Sequence, residues 1–442
     1  MSVVLIGFAV LLFLILVIRM PIAFAMGVVG FLGFAILQGL SFDNVLSFRW
    51  TAALTLASSR VIGTVQDYNL SVIPLFILMG NLVTRSGLSQ ELYNASYAFL
   101  GHRKGGLAMS TVLACGGFSA ICGSSLATSA TMAKVAMPPM RKFGYADSLA
   151  TASIAAGGTL GILIPPSVIL VIYGLLTQTS IRELFAAGFI PGMLGIFLYM
   201  CAVRYVVWRN PKAGPAGERM GFKERMLALK SIWGVLLLFT IVMGGIYLGV
   251  FTPTEAAGIG AGGALIIGLT RRSLSFGGIV ETLVDTSRTS AMLFCVVIGA
   301  FIFSDFITRA GLPDALLSFV TALELSPMLV IMVILVIYII LGMVFESLSM
   351  LLLTVPVFFP LVSSLGFDLV WFGIVVVVVT EISLITPPVG MNVFVLSAVL
   401  KDVKAGTIFK GVTPFWCADI IRLLIIVFIV PVSMFLPNFL YE

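Results

Sequence analysis

The sequence predicts an all-α integral membrane protein made of two inverted halves, each with five transmembrane helices plus one re-entrant helical hairpin. Three observations carry this reading. The chain is 60% hydrophobic and only 10% charged, with a mean hydropathy of +1.17, too little charge to coat a soluble domain of this size. Two apolar runs, Gly157–Gly174 (GGTLGILIPPSVILVIYG) and Glu381–Leu396 (EISLITPPVGMNVFVL), are each interrupted by a proline pair. Those pairs, Pro165–Pro166 and Pro387–Pro388, stand 222 residues apart (387 − 165), half the length of the 442-residue chain. Proline lacks an N–H and clashes with the preceding turn, so each run reads as a broken helix. A break at membrane depth is tolerated only where protein buries it or where it lines a wet cavity. One such break in each half points to the binding site of a transporter.

Basic residues orient the crossings. Residues 3–18 form the first span, ended by Arg19 on the cytoplasmic side, and 21–40 return outward. Ala23–Phe24–Ala25 resembles a signal-peptide cleavage site, but the positive charge follows the apolar run, so an uncleaved span is expected. Residues 41–66 suit an amphipathic helix at the interface, and 69–84 cross back to Arg85. The loop Gly101–Gly106 (GHRKGG) and the pair Arg141–Lys142 flank residues 107–140 with positive charge, so that segment enters and returns. It is the first hairpin, and its tip, 116–129 (GGFSAICGSSLATS), is rich in small and hydroxyl residues. The first broken helix covers 146–177, and 184–208 return.

Residues 209–230, with Pro211, Gly214, Pro215 and Gly217, read as a cytoplasmic linker between a first repeat, 1–208, and a second, 231–442. In the second repeat, 232–250, 253–269 and 291–307 cross, and 273–288 is amphipathic. The second hairpin is 328–361, the second broken helix 368–400 and the last span 420–436. Five crossings per half is an odd number, so the halves are inverted and both termini are expected in the periplasm. Residues 143–167 align without gaps on 365–389, and the same offset sets Ser124 on Glu346, Ser125 on Ser347 and Pro138 on Pro360. TRSGL (84–88) matches TRAGL (308–312), while the loops that follow have opposite charge, GHRKGG against ALELSP, as inversion requires.

Other classes of function find little support. The net charge of +6 is spread over short loops, a membrane-orientation signature rather than a nucleic-acid footprint. His102 is the only histidine, and Cys115, Cys122, Cys201, Cys295 and Cys417 lie singly in apolar segments, where they read as small buried side chains. Gly258–Gly263 (GIGAGG) fits a dinucleotide fingerprint but has no preceding strand, so close helix packing explains it better. There is no Walker motif and no nucleophile–base pair, and an enzyme is not expected.

A hairpin with GSS near its tip, then FGY and GGTLGILIPPS, and later GMVFES followed by EISLITPPVGMN, resembles the large membrane subunit (DctM type) of tripartite ATP-independent periplasmic (TRAP) transporters. The resemblance covers essentially the whole chain. It implies sodium-coupled import of an organic anion, a carboxylate or sugar acid, across a bacterial inner membrane. It also implies two partners, a small four-span membrane subunit and a periplasmic substrate-binding protein. The implied mechanism is elevator-type, as in the wider ion-transporter superfamily, with both hairpins and both broken helices in the mobile domain. Na+ is the implied coupling ion, with no other cofactor. Ser383 departs from the glycine usual in this run.

Sodium is a hard cation that takes carbonyl, hydroxyl and carboxylate oxygens, which unwound helix ends supply. The sodium candidates are Ser124, Ser125 and Thr128 at the first hairpin tip and Gly157, Gly158 and Thr159 before the first break. In the second half they are Glu346 and Ser347, then Thr380, Glu381, Thr386 and Gly390. The alternative is that these small residues only let helices pack closely. Glu346 and Glu381 lie deep in apolar sequence, where a carboxylate marks function or is hydrogen-bonded to fix the fold. The anion candidates are Arg309, whose guanidinium can fork onto a carboxylate, Ser125, Glu346, and Ser167, placed to cap the half-helix after the first break. Asp305, one turn before Arg309, offers it an alternative partner, and Arg85 reads as a cytoplasmic anchor. The nearest rival is a stand-alone sodium/carboxylate symporter of similar fold, and a channel comes next.

Overall fold

The computed structural model describes residues 2–43, 49–343 and 345–441. Residues 44–48 of the expected interfacial segment and Val344 of the expected second hairpin lie outside the described residues. The described chain is all-helical. In order, the helices are α1 (Ser2–Leu16), α2 (Ile22–Asp43), α3 (Trp50–Gln66), α4 (Val72–Arg85), α5 (Leu88–Leu100), α6 (Gly106–Cys122) and α7 (Ser125–Lys142). Then come α8 (Asp147–Thr159), α9 (Val168–Thr177), α10 (Ile181–Arg209), α11 (Phe222–Ser231), α12 (Trp233–Tyr247), α13 (Pro253–Thr270) and α14 (Phe276–Arg309). The chain finishes with α15 (Leu312–Ala322), α16 (Pro327–Gly342), α17 (Ser347–Ser364), α18 (Leu369–Ser383), α19 (Met391–Val399), α20 (Ala405–Phe428) and α21 (Pro431–Tyr441). Among the described residues α2, α10, α14, α17 and α20 are each long and apolar enough to cross a bilayer, and the number rises to seven if each of two bent helix pairs counts as one span.

The chain divides into two compact units, each drawing on both halves of the sequence. One contains 1–71, 287–337 and 348–369. Its α2 and the C-terminal part of α14 approach closely because Gly30 has no side chain: a Cβ there would fall 2.7 Å from backbone atoms of Ile302 and Phe303. Close approach through small residues is how helices gain packing energy where lipid offers no hydrophobic drive. Phe8 and Phe303 meet edge-to-face at 5.5 Å. Arg60 forks onto Asp305, with both N···O distances 2.6 Å. Asp305 is thus held by Arg60 rather than by Arg309, its neighbour one turn on.

The other unit contains 72–286, 338–347 and 370–442. Its centre is α8 and α18, where every residue from Leu149 to Thr159 and from Val370 to Ser383 is buried. α6, α7 and α20 pack around α8, and α10 packs on α20. The loop Gly101–Gly106 and the α7–α8 turn are stitched to the expected linker, 209–230, whose residues 213–217 form a strap across them. Gly105 N–H donates to Gly214 O (2.8 Å), Ala146 N–H to Ala213 O (3.0 Å) and Gly217 N–H to Gly101 O (2.9 Å). Helix ends and turns carry N–H and C=O groups without intrahelical partners, and here the strap supplies them. Arg141 joins the end of α7 to Asp402 (2.5 Å) and Asp147 (3.1 Å), and its hydrogen bond holds the Asp402 carboxyl below the usual range.

Two boundaries and the exposure of three cysteines differ from the sequence reading. The expected segments 273–288 and 291–307 are one continuous helix, α14, of 34 residues, because no proline stands between Phe276 and Arg309. The expected last span, 420–436, is divided: α20 begins at Ala405, and a break before Pro431 starts α21. Cys201, Cys295 and Cys417 are exposed on their helices, and only Cys115 and Cys122 are buried. Arg85 reaches Glu281 (2.6 Å) and Asp285 (3.2 Å).

Substituting Gly30→Val is expected to cost about 1–3 kcal/mol by overpacking α2 against α14. Gly63→Ala in α3, where an added Cβ meets nothing within 4 Å, is expected to be neutral or to stabilise by about 0.5–1 kcal/mol. Thermal unfolding in detergent distinguishes the two.

Candidate functional site

Both proline pairs break their helices. α8 ends at Thr159, passes through a 3-10 turn (Leu160–Ile162) and resumes as α9 after Ser167. α18 ends at Ser383, and α19 starts after Gly390, which sits at φ +56° in the left-handed region. The Pro165–Pro166 and Pro387–Pro388 peptides are both cis. Ser167 caps α9 as its position predicts: its Oγ accepts from Leu170 N–H (3.3 Å) and donates to Ile162 O (2.5 Å).

The turn between α6 and α7 is laid against the first break. Gly123 turns the chain at φ +62°, and Ser124 caps α7, accepting from Ala127 N–H at 3.4 Å. A Cβ on Gly161 would stand 2.8 Å from Ser124 O, and one on Gly158 would stand 1.9 Å from Ser129 Oγ and 3.3 Å from Ser125 O. Glycines therefore let the hairpin tip approach backbone to backbone, and Ser124, Ser125 and Gly158 are brought together. Gly157 instead faces Cys115 of α6, where a Cβ would lie 2.8 Å from Sγ, so it serves helix packing.

The second break reaches the same region through Asn392, in the first turn of α19. Its Nδ2 donates to Ala155 O of α8 (3.0 Å). Asn392 is fully buried, and neither its Oδ1 nor the Oγ of buried Ser129 has a hydrogen-bond partner among the described residues. Neither residue was singled out from sequence, although a buried asparagine in an apolar run is a recognisable signal. Thr128, Thr380 and Thr386 each donate to the carbonyl four residues back (Ser124, Val376 and Ile382), and Thr386 Oγ1, in the turn after α18, also accepts from Trp416 Nε1 (3.0 Å). Ser347 Oγ donates to Glu346 Oε1 at 3.1 Å. Arg309 is exposed at the end of α14 and belongs to the first unit, whereas the other candidates belong to the second.

Glu381 has partners that the sequence reading did not anticipate. Its Oε2 is held by Nη2 of Arg422, and the same Nη2 lies 2.8 Å from Asp419 Oδ1. Asp419 Oδ2 accepts from the Tyr199 hydroxyl (2.6 Å), which is 3.0 Å from Thr159 Oγ1. All five residues are fully buried. Gly195 makes the room: a Cβ there would be 2.2 Å from Arg422 Nη1. The sequence reading does not include Asp419 and Arg422 among its candidates, although two opposite charges three apart in an apolar helix are a clear intramembrane signal. Replacing Arg422 by Met strands two buried carboxylates, and removing one partner of a buried pair costs about 3–5 kcal/mol. The thermal unfolding midpoint of Arg422→Met in detergent should fall accordingly.

Comparison with known proteins bears on the whole chain. Residues 9–432 match the family described as the tripartite ATP-independent periplasmic transporter, DctM component. The C4-dicarboxylate TRAP transporter large permease protein DctM of Pseudomonas aeruginosa is 38% identical over 383 residues, 86% of this chain and 89% of that protein. The sialic acid TRAP transporter large permease protein SiaM of Vibrio cholerae is 32% identical over 390 residues, 88% of this chain and 90% of that one. In fold, the chain is similar to the crystal structure of the Alcanivorax borkumensis YdaH transporter, with a TM-score of 0.63 at 16% identity over 86% of this chain and 90% of that one. The family match runs through both proline breaks and the helices that hold Glu381, Asp419 and Arg422, and the chain belongs to the DctM family of TRAP transporter membrane components.

Proposed function

We propose that this chain is the transport-conducting subunit of a TRAP system in a bacterial inner membrane, importing an organic acid on a sodium gradient. Family membership supports transport. The relatives' named cargoes, C4-dicarboxylate and sialic acid, support a carboxylate substrate. A large permease of a tripartite system implies a small membrane subunit and a periplasmic binding protein as partners.

The observation that favours a sodium site is the pair of buried oxygens, Ser129 Oγ and Asn392 Oδ1, that lack hydrogen-bond partners among the described residues where the hairpin tip and the two breaks converge. A buried polar atom without a donor is costly, and a hard cation satisfies such an oxygen. In this reading Ser124, Ser125, Thr128, Gly158 and Thr159 contribute from the first half, and Thr380, Thr386 and Gly390 from the second. Glu346 and Ser347 at the second tip are equivalent to Ser124 and Ser125. Glu381 gives Oε2 to Arg422, while its buried Oε1 has no hydrogen-bond partner among the described residues and is left to face the ion. Arg309, with its neighbour Asp305 engaged by Arg60, keeps its fork for a carboxylate.

The two halves are read as inverted repeats, and transport as an elevator movement of the domain that carries both breaks. Both termini face the periplasm in this topology.

The test is uptake of labelled organic acids into proteoliposomes holding this chain and its small-subunit partner, with the cognate binding protein outside. Uptake is expected to need both an inward sodium gradient and the binding protein. Sodium-driven uptake without the binding protein would instead mark a stand-alone symporter, and flux indifferent to any gradient would refute coupled transport. Asn392→Leu is expected to raise the sodium concentration for half-maximal uptake, and Arg309→Gln to raise the substrate concentration needed.

A further inference from the structure

The gap-free alignment of 143–167 on 365–389 sets Thr159 opposite Glu381, at the same step of the two broken helices. In the structure these two equivalent residues are joined. Thr159 meets Tyr199, Tyr199 meets Asp419, Asp419 meets Arg422, and Arg422 meets Glu381, in one fully buried chain of contacts. The connection therefore runs from the end of the first broken helix through α10 and α20 to the end of the second.

Its construction favours fixed geometry. Nη2 of Arg422 is shared by the two carboxylates, the guanidinium lies over the Tyr199 ring at 5.7 Å, and Gly195 leaves it space on the remaining side. Lysine offers a single point charge on a flexible stem and cannot reproduce a planar guanidinium seated on a ring. Three ionisable groups are also a poor choice if stability alone were needed, since apolar side chains of similar volume often stabilise as well or better. What the polar chain supplies is a set distance between two helix ends. Thr159 directly follows Gly158, which touches the hairpin tip, and Glu381 directly follows Thr380.

We infer that Arg422, with Asp419 and Tyr199, is a positioning residue for ion coupling: it straps the equivalent ends of the two broken helices together and so sets sodium affinity without touching the ion. This rests on the sodium reading above. Coordinating groups act only when held to a fraction of an ångström by the residues behind them.

The experiment measures uptake against sodium concentration in proteoliposomes of the full complex for wild type, Tyr199→Phe and Arg422→Lys, each checked for monodispersity and melting temperature. Tyr199→Phe removes one hydroxyl and keeps the ring, so it preserves packing if Arg422→Lys fails to fold. The folded variants are expected to raise the half-saturating sodium concentration by about fivefold or more, with the maximal rate at saturating sodium retained. The Tyr199→Phe/Arg422→Lys double variant should shift it no further than the larger single change. Folded variants with unchanged sodium half-saturation, whether or not the maximal rate falls, would overturn the strap and leave the sodium reading standing. A wild-type complex indifferent to sodium would overturn both.

Discussion

A backbone that leaves its helix inside a membrane must find partners in protein, because hydrocarbon offers none and each orphaned group costs several kcal/mol. This chain leaves its helix twice, at Pro165–Pro166 and Pro387–Pro388. Much of the larger unit answers that constraint. Ser167 caps the helix that resumes after the first break, the α6–α7 tip presses against Gly158 and Gly161, and Asn392 reaches from the second break to a carbonyl of α8. α8 and α18, the segments that end at the breaks, are wholly enclosed from Leu149 and Val370 onward. Glycine is essential at Gly161 in particular, since any side chain would collide with the carbonyl of Ser124.

Within that enclosure lies a second constraint, the burial of charge. Glu381 and Asp419 are fully buried and share one guanidinium. Such a cluster holds only when its groups are oriented by one another, and here a tyrosine hydroxyl, an aromatic face and a glycine gap orient Arg422 and its partners. The same pattern of engaged charges recurs at the edges of the larger unit, where Arg271 takes Glu91 and Arg141 takes Asp147 and Asp402. These exposed or half-exposed pairs add little stability each, but they tie successive helices to fixed neighbours.

The membrane setting, the helical class and both helix breaks were legible in the residues. An apolar, charge-poor chain declared the membrane, two proline pairs declared the breaks, and GSS and TPP motifs in order pointed to the DctM family. Local rules served well where one residue type forces a local outcome, as at Ser167 or at the proline breaks. They served less well where continuity was decided by the absence of a breaker, as in the single helix α14, or by contacts far along the chain. The polar stretch 209–230 reads as a linker because its composition is that of a loop. It is ordered because Gly101, Gly105 and Ala146, more than 60 residues away, needed its backbone groups.

By itself, the sequence determined the membrane setting, the helical class, the positions of both breaks and the list of oxygens near them, because each follows from hydropathy, proline chemistry or residue type. Only the tertiary structure decided which of those oxygens have partners and which do not. It alone revealed that Glu381 is bound to Arg422, that Asp305 is claimed by Arg60, and that Asn392 and Ser129 hold buried oxygens without donors among the described residues. The reason is physical. A side chain's role in a low-dielectric interior depends on the groups a few ångströms away, and those groups come from segments 41 or 245 residues distant along the chain.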